Sequence, residues 1–220
     1  MYQPVVDLAS RAVVGWEALA RFTDPPGGGP QAWFAEAAEV GLGVELEIAA
    51  AEAAFAALRR IPLDTYLAIN VSQRTVLSPA LLEAVRPHAE RIVLELTEHE
   101  RVTDYAALGS ALQRLRELGV RVAIDDAGAG FASLRHILDV RPDIVKLDVT
   151  LTRGIDTDHA RRALAVALIS FAEEMRITIV AEGIETDEEL RALRELGVRF
   201  GQGYHLGRPG PLRAEAPGPG

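Results

Sequence analysis

A chain of 220 residues, half apolar and a quarter charged, has room for one good-sized hydrophobic core and the composition of an ordinary globular protein. Its apolar stretches are too short to span a bilayer, no secretory signal precedes them, and the lack of cysteine excludes disulfides, thiolate zinc sites and cysteine nucleophiles. A net charge of −9 argues against a nucleic-acid-binding surface and leaves an anionic substrate in need of cations, which bound metal ions could supply.

Residues 2–8 and 13–19 read as strands joined by a short turn at 9–12, a hairpin. The Pro/Gly-rich stretch 24–29 is a loop, and 31–40 and 44–60 read as helices, the second ending before Pro62. A regular rhythm follows: strand 65–71 and helix 79–89, strand 92–96 and helix 105–118, strand 121–125 and a short helix at 132–138. Strand 144–147 precedes helix 159–175, strand 178–181 precedes helix 187–196, and a last run covers 198–202. Eight strand-like runs, six in β–α order, predict an α/β fold with a parallel sheet covered by helices. Eight strands suggest closure into a barrel and the hairpin implies one antiparallel strand; an open doubly wound sheet is the alternative. The Pro/Gly-rich end, 212–220, reads as a disordered tail after a single domain over 1–211.

Each apolar run stops on a polar residue: Glu17, Asn70, Glu95 (with Glu98 beyond), Asp125 and Asp126, Lys146 (with Asp148), and Glu182 (with Glu185). In a parallel barrel these ends meet on the C-terminal face, where active sites of such folds lie. Gathered carboxylates repel unless protons or metals stand between them, and an oxygen-rich set suits Mg²⁺ or Mn²⁺. The plainer reading is a series of unrelated strand ends and helix caps. Lys146 weighs against it, since a lysine inside a buried run must pair with carboxylates or phosphate. The stretch IDDAGAG, 124–130, can be a phosphate loop, a metal site or a solvated turn. Its adjacent carboxylates oppose the first, and Ser133 stands where a dinucleotide fingerprint has its third glycine.

The motifs together resemble the EAL-domain phosphodiesterases: Glu17-Ala18-Leu19, AINVS at 68–72, LELTE at 94–98, IDDAGAGFASL at 124–134, PDIVKLD at 142–148, IVAEGIET at 179–186 and GQGYHLGRP at 201–209. The resemblance implies a (β/α)₈ TIM-like barrel with one antiparallel strand near its N-terminus. It implies hydrolysis of cyclic di-GMP to linear pGpG by a metal-activated water, with Mg²⁺ or Mn²⁺, two ions. Carried over by position, Glu17, Asn70, Glu95, Asp125, Asp126, Asp148 and Glu182 match metal-binding groups. Lys146 matches the lysine that orients or deprotonates the attacking water, making Lys146, Glu182 and Glu17 the catalytic set. Gln3, Arg21 and Gln202 match substrate contacts, Arg21 through phosphate, while Glu98 and Glu185 match supporting positions. The family also implies a homodimer and a bacterial cytoplasmic setting, within a larger or membrane-tethered protein carrying regulatory domains; no duplex nucleic acid and no membrane contact by this segment are expected.

The loop after the aspartates departs from the common family form DDFGTGYSSL, with Ala127, Ala129 and Phe131 in place of Phe, Thr and Tyr, so altered loop order or dimer coupling is expected with the chemistry retained. A cyclic di-GMP receptor without turnover is the competing reading, against which the filled acidic set argues. A barrel enzyme acting on other phosphorylated metabolites is a third.

Overall fold

A computed structural model describes residues 1–22, 29–97, 104–127 and 132–212. Eight strands close into a barrel in chain order: β1 (Tyr2–Asp7), β2 (Val13–Ala18), β3 (Tyr66–Val71), β4 (Ile92–Thr97), β5 (Arg121–Ala127), β6 (Ile144–Leu147), β7 (Thr178–Ala181) and β8 (Phe200–Gly201). β1 runs antiparallel to both of its neighbours, β2 and β8, and every other pairing is parallel. The expected barrel with one reversed strand is the observed one. Asp7 fixes the hairpin turn by accepting from the backbone N–H groups of Ala9 and Ser10 and by pairing with Arg199 at 2.9 Å. The Ser10 N–H bond and the Arg199 guanidinium hold its carboxyl well below the usual range.

The helices are α1 (Gly29–Glu39), α2 (Gly43–Phe55), α3 (Gln73–Leu77), α4 (Pro79–Val85), α5 (Tyr105–Glu117), α6 (Ala132–Val140), α7 (Val149–Thr152), α8 (His159–Met175) and α9 (Asp187–Glu195). Two expected helices are shorter than their patterns. The one read over 44–60 tightens into a 3₁₀ turn at Ala56–Arg59. The one read over 79–89 leaves the α form after Val85, because Pro87 lacks an N–H and its ring clashes with the carbonyl four residues back. α3 and α7 were not expected: each is too short to show a period, and each starts on a side-chain cap, Ser72 accepting from Thr75 N and Asp148 from Thr150 N. Leu212 is buried in the core, and Arg60 donates to its carbonyl; residues 213–220 lie outside the described residues.

Alternation along the strands sorts side chains into two layers. Leu67, Ile69, Leu94, Leu96, Val122 and Ile124 face outward and pack beneath the helices in the main core. Val5, Ala68, Val93, Ala123, Ile144 and Val180 form a second cluster inside the barrel. The inward row carrying Val93 and Ile144 continues, one pleat on, to Glu95 and Lys146. Interior charge is therefore placed by the register that buries the apolar row below it.

The opposite end of the barrel is filled by Tyr66, whose ring lies against Gly15 on the paired strand. A Cβ built on Gly15 would fall 2.3 Å from Tyr66 Cζ, so this glycine serves close approach. Gly15→Ala is expected to destabilise the fold by about 1–3 kcal/mol through overpacking. Urea unfolding of Gly15→Ala against Gly15→Ala/Tyr66→Leu checks the cause, since trimming the ring should recover part of the loss.

Candidate active site

The C-terminal ends of β2, β4, β5, β6 and β7 bring Glu17, Glu95, Asp125 and Glu182 around Lys146. Its Nζ stands 2.9 Å from Glu182 Oε1, 3.1 Å from Glu95 Oε2, 3.1 Å from Asp125 Oδ1 and 3.6 Å from Glu17 Oε2. Lys146 is 2% exposed, and it is the only lysine in the chain. Around this group, Asn70 Nδ2 donates to Glu17 Oε1 at 3.2 Å, leaving the Asn70 carbonyl oxygen as an acceptor. Gln202 Nε2 donates to Glu17 Oε2 at 2.5 Å and to Gln3 Oε1 at 2.9 Å, and Gln3 Nε2 donates to Gly207 O.

Four carboxylates against one ammonium leave an excess of negative charge in a buried space. Burial alone disfavours the Lys146 ammonium, but Glu182, Glu95, Glu17 and Asp125 outweigh it and raise its pKa well above that of a free lysine. Lys146 is therefore a cation with no lone pair to accept a proton. Burial first, and the neighbouring acids second, raise Glu95 well above its ordinary value despite Lys146. The same causes push Glu182 up to about 8. The site answers its own charge excess by binding protons.

The paired aspartates reach this end by a route different from the expected one. β5 does not stop at Asp125 but continues to Ala127, and its pairing with β6 slips from Ile124–Val145 to Ala127–Leu147. Asp125 and Asp126 together stand opposite Lys146 alone. Such an extra residue re-aims a strand, so the strand expected over 121–125 runs on to Ala127 through a bulge. The residues after it, Gly128 to Phe131, and Glu98 lie outside the described residues.

Of the other expected positions, Arg21 borders a cavity of about 940 Å³ that also touches Glu17, Asn70 and Asp125. Phe22 lines the same cavity and stacks on Trp33 at 5.1 Å. The Gln3 amide is spent on Gly207 O and Gln202, so it braces its neighbour. Asp148, expected as a metal ligand, does not join the carboxylates around Lys146. Its Oδ1 accepts from Thr150 N at 2.8 Å and from the Thr150 hydroxyl, capping α7. Glu185 is ion-paired with Arg153 on the rim.

Glu189 is the positioning residue that the pattern hid among the acids in the first turn of α9. It is 5% exposed and accepts from Gly154 N at 2.9 Å, Glu185 N at 2.8 Å and Thr186 N at 3.1 Å. These bonds outweigh burial and hold its carboxyl below the usual range. It thereby ties the loop carrying Glu182 and Glu185 to the end of α7. Gly183 completes that closure, with φ +66° and a Cβ position 2.3 Å from Val149 Cγ2 that only glycine leaves empty. The capping-box spacing of Thr186 and Glu189 was the available signal.

A family model, EAL domain, matches residues 1–209, and the chain belongs to that family. It is 34% identical over 223 residues to cyclic di-GMP phosphodiesterase PA2567 of Pseudomonas aeruginosa, a match covering 95% of this chain and 38% of that protein. Other curated relatives are matched over 27% and 44% of their length, so the chain spans less than half of each. An EAL domain protein from Listeria monocytogenes superposes with a TM-score of 0.84 at 26% identity, covering 96% of this chain and 87% of that one. BlrP1 of Klebsiella pneumoniae, in a complex with manganese and cyclic di-GMP, does so with a TM-score of 0.79 at 33% identity, over 92% and 53%.

Proposed function

We propose that this domain is a metal-dependent phosphodiesterase that hydrolyses cyclic di-GMP to linear pGpG. The observation that carries the reading is the buried Lys146 ringed by Glu17, Glu95, Asp125 and Glu182, with cavities on both sides of Glu17. Support comes from the relatives, which include named cyclic di-GMP phosphodiesterases, and from the manganese and cyclic di-GMP complex of BlrP1.

The donor set fits a hard divalent cation. Carboxylate oxygens and the Asn70 carbonyl are the ligands that Mg²⁺ and Mn²⁺ take, and the charge excess around Lys146 is what a cation would neutralise. Among the described residues no three acids converge in metal-ligating geometry, because their oxygens turn toward Nζ. Holding two ions therefore calls for Glu17, Glu95, Asp125 and Glu182 to release part of their hold on Lys146, together with Asn70 and Asp126. Divalent ions bound there supply activation of the attacking water and offset charge on the phosphodiester. Lys146, as an ammonium, donates and so orients that water and stabilises developing negative charge. Glu17 is held in place by Asn70 and Gln202. Arg21, on the border of the larger cavity, supplies a cation for a substrate phosphate.

Incubation with cyclic di-GMP and Mg²⁺ or Mn²⁺, with products separated by chromatography, is expected to yield pGpG. Tight binding with no pGpG formed would replace this reading with that of a receptor.

A further inference from the structure

Glu182 stands one residue past the end of β7 at Ala181, where strand pairing no longer fixes the backbone. A single short unit, residues 146–152, takes over and grips Glu182 at both ends. Lys146 Nζ lies 2.9 Å from Oε1 of its carboxylate. On the backbone side, the Glu182 N–H donates to Leu147 O at 3.0 Å, and its carbonyl oxygen accepts from the Thr152 hydroxyl.

The local sequence explains how Thr152 arrives there. Asp148 accepts from Thr150 N and so starts α7 directly behind β6. Residues three apart share a helix face, and Val149 and Thr152 are such a pair. Val149 closes on Gly183, and Thr152 on the residue before it. Thr152 is 0% exposed, and a hydroxyl at that depth needs an acceptor. Val149 O is the other one within reach, but it lies 3.4 Å away and already takes the Arg153 N–H at 2.9 Å. The one hydroxyl proton therefore goes to Glu182.

The two grips differ in what they demand of a site that loads metal. The Glu182 carboxylate has to leave Lys146 before it can serve a divalent ion, whereas the backbone bonds ask for no such exchange. We propose that Thr152 is a positioning residue for Glu182, its hydroxyl holding the backbone in place while the carboxylate passes from Lys146 to a divalent ion. The proposal rests on the metal-dependent reading above and extends it to a residue outside the ring of acids.

Thr152→Val removes the hydroxyl and keeps the shape, and Thr152→Ser keeps the hydroxyl. Calorimetric titration of the protein alone with Mn²⁺ should show Thr152→Val weakened about tenfold or more and Thr152→Ser within about twofold of the parent, the scale of losing a group that orients a metal ligand. At saturating Mn²⁺, Thr152→Val should lower kcat for cyclic di-GMP and leave KM near the parental value. In EDTA, the Glu182 amide should exchange with solvent faster in Thr152→Val than in Thr152→Ser, measured against the amides of β4 as internal reference. Should Thr152→Val fail to fold, Thr152→Ala against Thr152→Ser gives the same contrast. Variants with and without the hydroxyl that agree in Mn²⁺ affinity and in Glu182 exchange, whether both parental or both impaired, overturn the proposal. A parent that binds Mn²⁺ but forms no pGpG refutes the phosphodiesterase reading and leaves the affinities to decide on Thr152. A parent that binds no Mn²⁺ refutes the metal-positioning role outright.

Discussion

Lys146→Met should lower kcat by about 10²–10³-fold, the effect of removing a preorganised donor from a dry active site. The loss has two origins that can be separated. One is chemical, since methionine fills much of the same volume but gives no ammonium to orient water or meet charge on the phosphodiester. The other is electrostatic, because Glu17, Glu95, Asp125 and Glu182 lose the cation that all four face. Breaking a buried ion pair from one side costs about 3–5 kcal/mol. In chelator, the variant should therefore unfold at markedly lower urea concentration than the parent. Saturating Mn²⁺ should recover much of the stability and little of the turnover. A variant with parental kcat would remove Lys146 from the chemistry.

Chelation is expected to abolish turnover altogether, and full activity in excess EDTA would sink the metal-dependent mechanism. Chelation should also expose a pH dependence of stability with a definite sign. Glu182 is raised to about 8 in the folded chain, and Glu95 well above its ordinary value, whereas both titrate near 4.5 when unfolded. The folded state then binds more protons than the unfolded one between those values, so its stability falls as pH rises through that window. Thermal midpoints in EDTA should drop between pH 5 and about 8. Adding Mg²⁺ or Mn²⁺ at 100 times its Kd should restore about 2.7 kcal/mol by mass action and flatten the slope. Midpoints that rise with pH in EDTA would contradict the proton uptake assigned to Glu182 and Glu95.

How far the fold could be read in advance follows from the length of each signal. The hairpin and the β–α rhythm span many residues, and the barrel with β1 reversed is what they required. Elements of four or five residues, α3 and α7, carry no period and rest on one cap apiece, so the pattern passed over them. The site was legible as a list because strand ends converge in any parallel barrel: Glu17, Asn70, Glu95, Asp125, Lys146 and Glu182 do meet. What spacing could not give was the use of each group. Asp148 looks like one more strand-end acid, yet its Oδ1 caps α7. Gln3 looks like a substrate contact, yet both ends of its amide are bound to protein. Glu189 is one of several acids in sequence there, and only its three N–H partners show it holding a loop. The bulge in β5 was hidden for a related reason, since strand alternation has no mark for an inserted residue.

The reversed first strand has a kinetic consequence. β1 completes the barrel by pairing Val6 with Gly201 and Asp7 with Phe200, partners almost the whole chain apart. Closing a loop of that length costs conformational entropy that shorter-range pairings have not already met. The same seam carries the Gln3–Gln202 and Glu17–Gln202 bonds. Folding during synthesis can assemble β2 through β7 from neighbouring segments, but the Glu17 side of the candidate site stays open until residues 200–202 have emerged. A chain cut short before β8 would keep most of its acids and lose the seam that orients one of them.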